Sequence, residues 1–296
     1  MICKLCPREC GIDRKTATGY CKMTDTVKIS KVMLHKWEEP CISGLGDENE
    51  ITGSGTIFFV GCPLRCVYCQ NMDISQGDNG YEISVEDLAE KMLSLQENGA
   101  YNINLVTPTH YSDKIRQALD IAKPSLKIPV IYNTSGYEKA EEIAKMAGYV
   151  DVFLTDIKYF SPEYSQRYSG ARDYYVRAKG ALEAMLKIAP EPVFDGTGKM
   201  QRGVIVRHLV LPNLRKDSIN ILENLKNSFD ISKFKLSLMA QYTPEFCKSE
   251  YKELKRKITT FEYESVVERA ILLGYDGYIQ DKSASSVKYT PNFKQA

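Results

Sequence analysis

Three cysteines are spaced C-x-x-x-C-x-x-C in the stretch Gly61-Cys62-Pro63-Leu64-Arg65-Cys66-Val67-Tyr68-Cys69-Gln70-Asn71. The apolar run at 56–60 just before it predicts a short buried strand. The cysteines therefore lie on the loop that leaves the C-terminal end of this strand, where α/β enzymes place their chemistry. Cysteine thiolates are the usual ligands of iron–sulfur clusters, so three of them in this spacing suit one cluster. Because no fourth ligand stands nearby, one iron would keep an open position for a reacting ligand.

Two alternatives exist for this stretch, namely a zinc knuckle and three cysteines buried in a core. Zinc would require a fourth thiolate or imidazole. Pro63, Arg65 and Asn71 interrupt any apolar packing stripe. Both alternatives are therefore weaker than the cluster.

Composition describes an ordinary globular protein of 296 residues, with 43% hydrophobic and 26% charged residues. This length is normal for one α/β barrel. The net charge of +1 gives no electrostatic case for nucleic-acid binding. No apolar run approaches the length of a membrane span, and the N-terminus lacks the zones of a secretory signal. Seven of the nine cysteines fall in two tight clusters, which fits metal binding in a reducing compartment. We expect a cytoplasmic metalloenzyme with no nucleic-acid or membrane partner.

A second group of cysteines stands at the N-terminus, at Cys3, Cys6, Cys10 and Cys21. Four cysteines within twenty residues, two of them spaced C-x-x-C, predict a metal site. Four thiolates complete a structural zinc site, and they could equally hold an auxiliary iron–sulfur cluster that relays electrons. We expect residues 1–50 to form a Cys-rich segment with its connector, and residues 51–296 to form the main domain.

Strand and helix patterns alternate from residue 57 onward. Strands are predicted near 57–60, 102–106, 129–132, 151–154, 203–206 and 235–239, with a short one near 278–279. Helices are predicted near 85–98, 113–122, 138–147, 162–188, 217–228 and 262–273. Six such units with right-handed crossovers predict an α/β fold, a partial (β/α)6 TIM-like barrel with an N-terminal Cys-rich metal-binding segment. A flat doubly wound sheet is the alternative, but no G-x-G-x-x-G follows the first strand.

The cysteine motif, with an aromatic residue just before its last cysteine, resembles the radical S-adenosylmethionine (SAM) superfamily. Five further runs resemble an uncharacterised radical SAM family related to the pyruvate formate-lyase activating enzymes. These runs are residues 38–44, 53–59, 106–111, 132–137 and 207–212. The resemblance covers nearly the whole chain.

The resemblance implies cofactors and partners. Cys62, Cys66 and Cys69 would hold a 4Fe-4S cluster whose open iron chelates SAM. An electron from a donor such as flavodoxin or ferredoxin would break SAM to a 5′-deoxyadenosyl radical. This radical would take hydrogen from a protein, peptide or small-molecule substrate.

The resemblance also implies roles for residues at the strand ends. Tyr68 would lie by the adenine, and Asn133 and Ser135 would face the ribose or methionyl part of SAM. Asp156 and Lys158 match a D-x-K strand end whose lysine helps to hold the cofactor; a mutual ion pair is the alternative. Arg207 would meet a carboxylate, where its fork suits bidentate contact.

One departure concerns the second strand end. Activating enzymes have a Gly-Gly-Glu run there, which meets the amino group of SAM, whereas this chain has Thr107-Pro108-Thr109. A hydroxyl of Thr107 or Thr109 could accept the same hydrogen bond, but without the charge. The next two residues, His110 and Tyr111, are candidates for substrate handling, since histidine transfers protons near neutral pH. A hydrogen-bonding pair at the rim is the alternative for these two.

Three functional hypotheses follow. The first is a radical SAM enzyme that abstracts hydrogen from a glycine or another carbon of a protein or peptide, as a glycyl-radical-enzyme activase does. The second is a radical SAM enzyme that modifies a small metabolite. The third is a non-catalytic metal-binding interaction protein, which the intact set of cysteines and polar strand ends argues against.

Overall fold

The computed structural model describes residues 2–45 and 52–281 together with residues 285, 291 and 293. The predicted boundary between residues 50 and 51 lies outside the described residues. Within the described ranges, no helix is both long and apolar enough to cross a membrane.

The described strands form one sheet with a short side branch. They are β1 (Val27–His35), β2 (Gly53–Phe59), β3 (Tyr81–Ile83), β4 (Ala100–Val106), β5 (Val130–Thr134), β6 (Val152–Asp156), β7 (Val193–Phe194), β8 (Met200–Leu209), β9 (Lys235–Met239) and β10 (Gly277–Ile279).

The sheet runs in the order β10-β9-β8-β6-β5-β4-β2-β1-β3, and β7 pairs with β8. Every neighbouring pair from β2 to β10 is parallel, whereas β1 is antiparallel to both β2 and β3. The predicted α/β fold is therefore confirmed, with the six expected strands seen as β2, β4, β5, β6, β8 and β9. Among the described residues no hydrogen bonds join β10 to β3, so the barrel is open.

Helices cover the outer face of the parallel strands. They are α1 (Pro40–Ser43), α2 (Met72–Ser75), α3 (Val85–Glu97), α4 (Ser112–Ala122), α5 (Ala140–Ala144), α6 (Pro162–Ser169), α7 (Tyr174–Ile188), α8 (Arg215–Ser228) and α9 (Thr260–Leu273), of which α1 lies inside the barrel and α2 follows the cysteine loop. Short 3-10 turns occur at Thr109–Tyr111, Ile231–Lys233, Pro244–Phe246 and Lys252–Lys255.

Helix ends follow local chemistry. Ser84 caps α3, because its hydroxyl accepts a hydrogen bond from the Asp87 amide while the Asp87 carboxylate accepts one from the Ser84 amide. The single helix predicted over 162–188 is instead two helices, since Gly170 takes a left-handed conformation (φ 57°) that ends α6. The helix predicted over 138–147 is shorter than expected, covering only Ala140–Ala144.

The interior of the barrel is closed from below by residues 38–43, which we call the floor segment. Its short helix α1 buries Cys41 and Ile42 against Ile131, Val152, Leu154 and Ile205 of the parallel strands. The Asn102 side chain of β4 donates a hydrogen bond of 2.8 Å to the Ile42 carbonyl. The floor segment thereby fills the lower barrel and leaves a cavity above it.

Candidate active site

A cavity of about 610 Å³ opens at the C-terminal ends of the parallel strands. The Cys62–Cys69 loop supplies one wall, and the opposite walls are polar residues at the ends of β5, β6 and β8. The sequence-predicted residues that line it are Cys62, Cys66, Cys69, Tyr68, Thr107, Asn133, Ser135, Asp156, Lys158 and Arg207. The fold therefore brings together side chains from five separate parts of the chain.

Each of the three cysteine sulfurs in this wall accepts at least one hydrogen bond. The Leu64 amide lies 3.4 Å from the Cys62 sulfur. The Ser169 and Ser75 hydroxyls lie 3.1 and 3.3 Å from the sulfurs of Cys66 and Cys69. Burial, followed by the neighbouring Cys66 charge, raises the pKa of the Cys62 thiol to about 12. Thiolates this close together therefore need a bound cationic centre to compensate them.

The donor set fits an iron–sulfur cluster better than a single metal ion. A structural zinc site takes four protein ligands, whereas this wall of the cavity offers three cysteine sulfurs. A four-iron cube would bind each of the three thiolates through a different iron and leave one iron open. In addition, Asn71 Oδ1 and Ser135 Oγ belong to cavity-lining residues and have no hydrogen-bond partner among the described residues. Such buried polar atoms are typical of a ligand site.

Tyr68 is tied to the cysteine loop by a chain of hydroxyl groups. Its hydroxyl lies 2.7 Å from that of Tyr159, which lies 2.7 Å from the Ser169 hydroxyl. Ser169 in turn donates to the Cys66 sulfur. This chain fixes the Tyr68 ring against the cavity.

Asp156 and Lys158 form an ion pair at the end of β6. Burial alone would lower the pKa of Lys158, but attraction from Asp156 and from the charge of Cys66 outweighs it and raises this pKa. Lys158 is thus a fixed positive charge between the cysteine loop and the end of β8. The contact is the mutual pair that the sequence left open as the alternative to a cofactor role.

Thr107 and Thr109 are placed differently. Thr107 lines the cavity in a left-handed conformation (φ 60°), and its amide donates to the Asn133 carbonyl at 2.9 Å. Thr109 is buried and donates its hydroxyl hydrogen to Glu138 at 2.5 Å, so its side chain is already engaged away from the cavity. Of the two threonines, only Thr107 is available to a ligand there.

His110 and Tyr111 lie outside the cavity, which corrects their expected position beside a substrate. Both are buried. His110 Nε2 lies 2.7 Å from the Val60 carbonyl, and burial lowers the pKa of this histidine to about 3. Arg14 covers them, since its guanidinium donates to the His110 carbonyl and lies 5.4 Å from the centre of the Tyr111 ring. The N-terminal segment therefore packs where a substrate was expected.

Arg207 points into the cavity, but it meets carboxylates of the protein itself. Its Nε and Nη2 donate to the two carboxylate oxygens of Glu39 at 2.8 and 2.5 Å. Nη2 also donates to Glu38. The attraction of Arg207 lowers the pKa of Glu39 although burial alone would raise it. Sequence reasoning missed both glutamates as site residues; the only available signal was that they open one of the family-like runs.

His208, the next residue on β8, points outward and is held between the Ile157 carbonyl (2.7 Å) and the Ser218 hydroxyl (2.8 Å). This placement leaves it no access to the cavity.

The N-terminal cysteine segment packs directly on the cysteine loop of the barrel. Gly61 has a φ of 86°, and a Cβ there would lie 2.8 Å from the Cys21 carbonyl oxygen, so only glycine fits. Arg8 Nε donates to the Pro63 carbonyl at 2.8 Å, and its Nη2 donates to the Ser169 carbonyl at 2.9 Å. The N-terminal cysteine segment therefore lies against the loop that carries Cys62, Cys66 and Cys69.

The four N-terminal cysteines lie near one another. A Cβ on Gly19 would be 3.4 Å from the Cys10 sulfur and 3.6 Å from the Cys21 sulfur. Burial, and further the charges of Cys21 and Cys3, raise the pKa of Cys6 to about 12. Cys21 is likewise close enough to feel the charges of Cys3 and Cys10, so the geometry brings the four cysteines together.

Comparison with known proteins identifies the family of this chain. A family model described as the radical SAM superfamily matches residues 56–199, which hold the cysteine loop and the ends of β4, β5 and β6. The chain is 30% identical over 282 residues to the uncharacterized protein MJ0674 of Methanocaldococcus jannaschii, a match that covers 90% of this chain and 74% of that one. The chain belongs to the radical SAM superfamily.

Two further similarities accompany this membership. A pyruvate formate-lyase-activating enzyme of Clostridium pasteurianum is 26% identical over 186 residues, covering 58% of this radical SAM chain and 70% of that protein. The solved structure of Streptococcus suis SuiB bound to precursor peptide SuiA is 15% identical with a TM-score of 0.48, covering 74% of this chain and 46% of that one. The present chain thus spans about half the length of SuiB.

Membership in the radical SAM superfamily implies an enzyme that uses a 4Fe-4S cluster and SAM. It also implies an electron donor and a substrate, neither of which the family alone identifies.

Proposed function

We propose that this protein cleaves SAM reductively in the cavity and abstracts hydrogen from a substrate bound there. The observation that carries the proposal is the cavity itself: three cysteine sulfurs form one wall of a cavity whose other walls are polar strand ends from β5, β6 and β8. When bound at Cys62, Cys66 and Cys69, the cluster would supply the electron that converts SAM to the hydrogen-abstracting 5′-deoxyadenosyl radical.

The residues of the chain bind and orient the cofactor in this proposal. Asn133 and Ser135 offer polar groups at the end of β5, and the Oγ of Ser135 has no partner among the described residues. Tyr68 presents its ring, held by the hydroxyl chain to Tyr159, as a flat surface for the adenine. Lys158, fixed by Asp156, supplies a positive charge beside the cluster wall. Thr107 offers a hydroxyl acceptor in place of the glutamate of the activating enzymes.

Substrate and reaction type are the finer part of the proposal. Sequence similarity to an activating enzyme supports an activase-like reaction on a protein or peptide. The charged floor of the cavity, with Glu38, Glu39 and Arg207, favours instead a small metabolite or a single side chain as the reacting group. An electron donor such as flavodoxin or ferredoxin would reach the cluster loop from outside the cavity.

We also propose that Cys3, Cys6, Cys10 and Cys21 bind a second metal, as zinc or as an iron–sulfur cluster. Support comes from their common location against Gly61 and Pro63, one loop away from the first site. An iron–sulfur cluster there would lie close enough to pass electrons to the first cluster, whereas zinc would hold the segment in place.

Anaerobic reconstitution followed by reduction tests the proposed reaction. We expect 5′-deoxyadenosine from SAM, and its loss on substitution of Cys62, Cys66 or Cys69 by alanine. Cys247→Ala is the matched control, because this buried cysteine does not line the cavity and its sulfur lies 3.1 Å from the Ser249 hydroxyl. Equal deoxyadenosine release by the Cys66→Ala variant would overturn the proposal.

A further inference from the structure

The floor of the cavity holds two carboxylates against one guanidinium. Glu39 accepts hydrogen bonds from both Nε and Nη2 of Arg207, so the charges of these two residues neutralise each other. Glu38 shares the same Nη2 through one of its oxygens. The three side chains are only 6–12% exposed and all line the cavity. A second carboxylate this buried needs a partner of its own.

The other charged residues that the structure describes in the cavity lining do not supply that partner. Asp156 and Lys158 compensate each other. Burial lowers the pKa of His35, which keeps its ring neutral. Apart from the cysteine thiols, the described lining therefore carries one net negative charge, and this charge sits at Glu38.

Hydrogen bonding around Glu38 points the same way. Its Oε1 accepts only long contacts from the amide groups of Asn104 (3.3 Å) and Asn133 (3.4 Å). Asn104 is fully buried, and its Oδ1 has no hydrogen-bond partner among the described residues. A buried carboxylate oxygen that holds only long contacts from neutral amides is the complement of a group rich in N–H and positive charge.

The position of this carboxylate separates it from the cluster wall. Asn104 precedes Val106, the last residue of β4, by two positions, so it lies about 7 Å below the strand end. The cysteines, by contrast, leave from the loop after β2 at the strand ends. Glu38 comes from the floor segment and meets Asn133 at the end of β5, so a ligand group paired with it would lie at the base of the cavity, next to the residues proposed for the cofactor.

We infer that the floor of the cavity binds the protonated amine of an aliphatic substrate, with Glu38 as its ion-pair partner. The inference rests on the proposed function, since it places the substrate beneath SAM. The reacting carbon then lies between the amine and the strand ends, a few bonds from the nitrogen. The amine comes either from a free metabolite or from a lysine side chain, since both present the same chemistry.

Calorimetry on the cluster-loaded protein with SAM tests this inference without turnover. The probes are n-butylammonium, butyramide and butyrate, which share a chain and differ in charge, and N-acetyl-lysine N-methylamide, which presents the amine on a peptide-like backbone. We expect n-butylammonium to bind and the neutral and anionic probes to bind at least about tenfold more weakly. Binding of the lysine derivative at equal strength assigns the amine to a side chain, and its exclusion assigns it to a free metabolite.

Glu38→Gln should weaken amine binding at least about tenfold, whereas Glu183→Gln on the exposed face of α7 should leave it unchanged. Butyrate binding as tightly as butylammonium overturns the inference, and this comparison needs no variant. Loss of SAM binding in Glu38→Gln with unchanged amine binding also overturns it, because the carboxylate would then serve the cofactor. Wild-type SAM cleavage without amine binding refutes this inference alone, while amine binding without SAM cleavage refutes the proposed function alone.

Discussion

Arg8 joins the N-terminal cysteine segment to the barrel, and its replacement by alanine should loosen the cysteine loop. The guanidinium donates to the carbonyls of Pro63, Ser169 and Gly170 and lies 4.0 Å from the centre of the Tyr20 ring. Hydrogen bonds from a charged donor contribute about 1.5–3 kcal/mol when buried. The hydrogen bonds of Arg8 are partly exposed, and water would replace some of them in the variant. We therefore expect the whole side chain to stabilise the loop by about 2 kcal/mol.

A loss of about 2 kcal/mol corresponds to roughly a 30-fold increase in local opening. Hydrogen exchange followed by mass spectrometry should therefore show about 30-fold faster exchange in residues 61–70 of the Arg8→Ala variant. The exchange rate of the Arg8→Lys variant should fall between those of the wild type and Arg8→Ala, because one ammonium group cannot reach three carbonyls as the guanidinium does. Arg172→Ala, at an exposed position, is the matched control. Unchanged exchange in residues 61–70 of Arg8→Ala would refute the coupling between the two cysteine groups.

Three further predictions concern single positions. Arg207→Met should lower the free energy of unfolding by about 3–5 kcal/mol, because it leaves buried carboxylates unpaired. Denaturant titration should show that adding Glu39→Gln restores part of this stability, and no recovery in the double variant would contradict the pairing. Gly61→Ala should lower bound iron, measured per chain, because the new methyl group meets Cys21 and Met23; full iron content would contradict this. The unfolded pKa of His110 is about 6.5 and its folded pKa is about 3. Its contribution to stability is therefore present above pH 6.5 and is lost as the pH falls, by up to about 1.4 kcal/mol per unit. His110→Gln should flatten that slope in denaturant titrations at pH 4–7, and an unchanged slope would contradict the assignment.

Much of the fold was predictable because its signals are local. Hydrophobic runs marked the parallel strands, and Ser84 with Asp87 formed the cap that begins α3. The cysteine loop was predictable for the same reason, since its three cysteines lie within eight residues. The break at Gly170 was missed because a single glycine in a long helical pattern does not by itself show a left-handed turn.

The interior of the site was less predictable because it depends on contacts between distant parts of the chain. Glu39 and Arg207 are 168 residues apart, and nothing in either neighbourhood shows that residues 38–43 enter the barrel. His110 was placed beside the substrate from its position after a strand. That reasoning could not include Arg14, which comes from 96 residues earlier and covers it.

The central claim is that Cys62, Cys66 and Cys69 hold a cluster at which SAM is cleaved. The most direct measurement is iron, sulfide and zinc per chain together with 5′-deoxyadenosine release, on the anaerobically reconstituted and reduced protein. The account predicts deoxyadenosine with about four irons if the N-terminal cysteines hold zinc, or about eight if they hold a second cluster. Iron incorporated in either amount without deoxyadenosine release would contradict it.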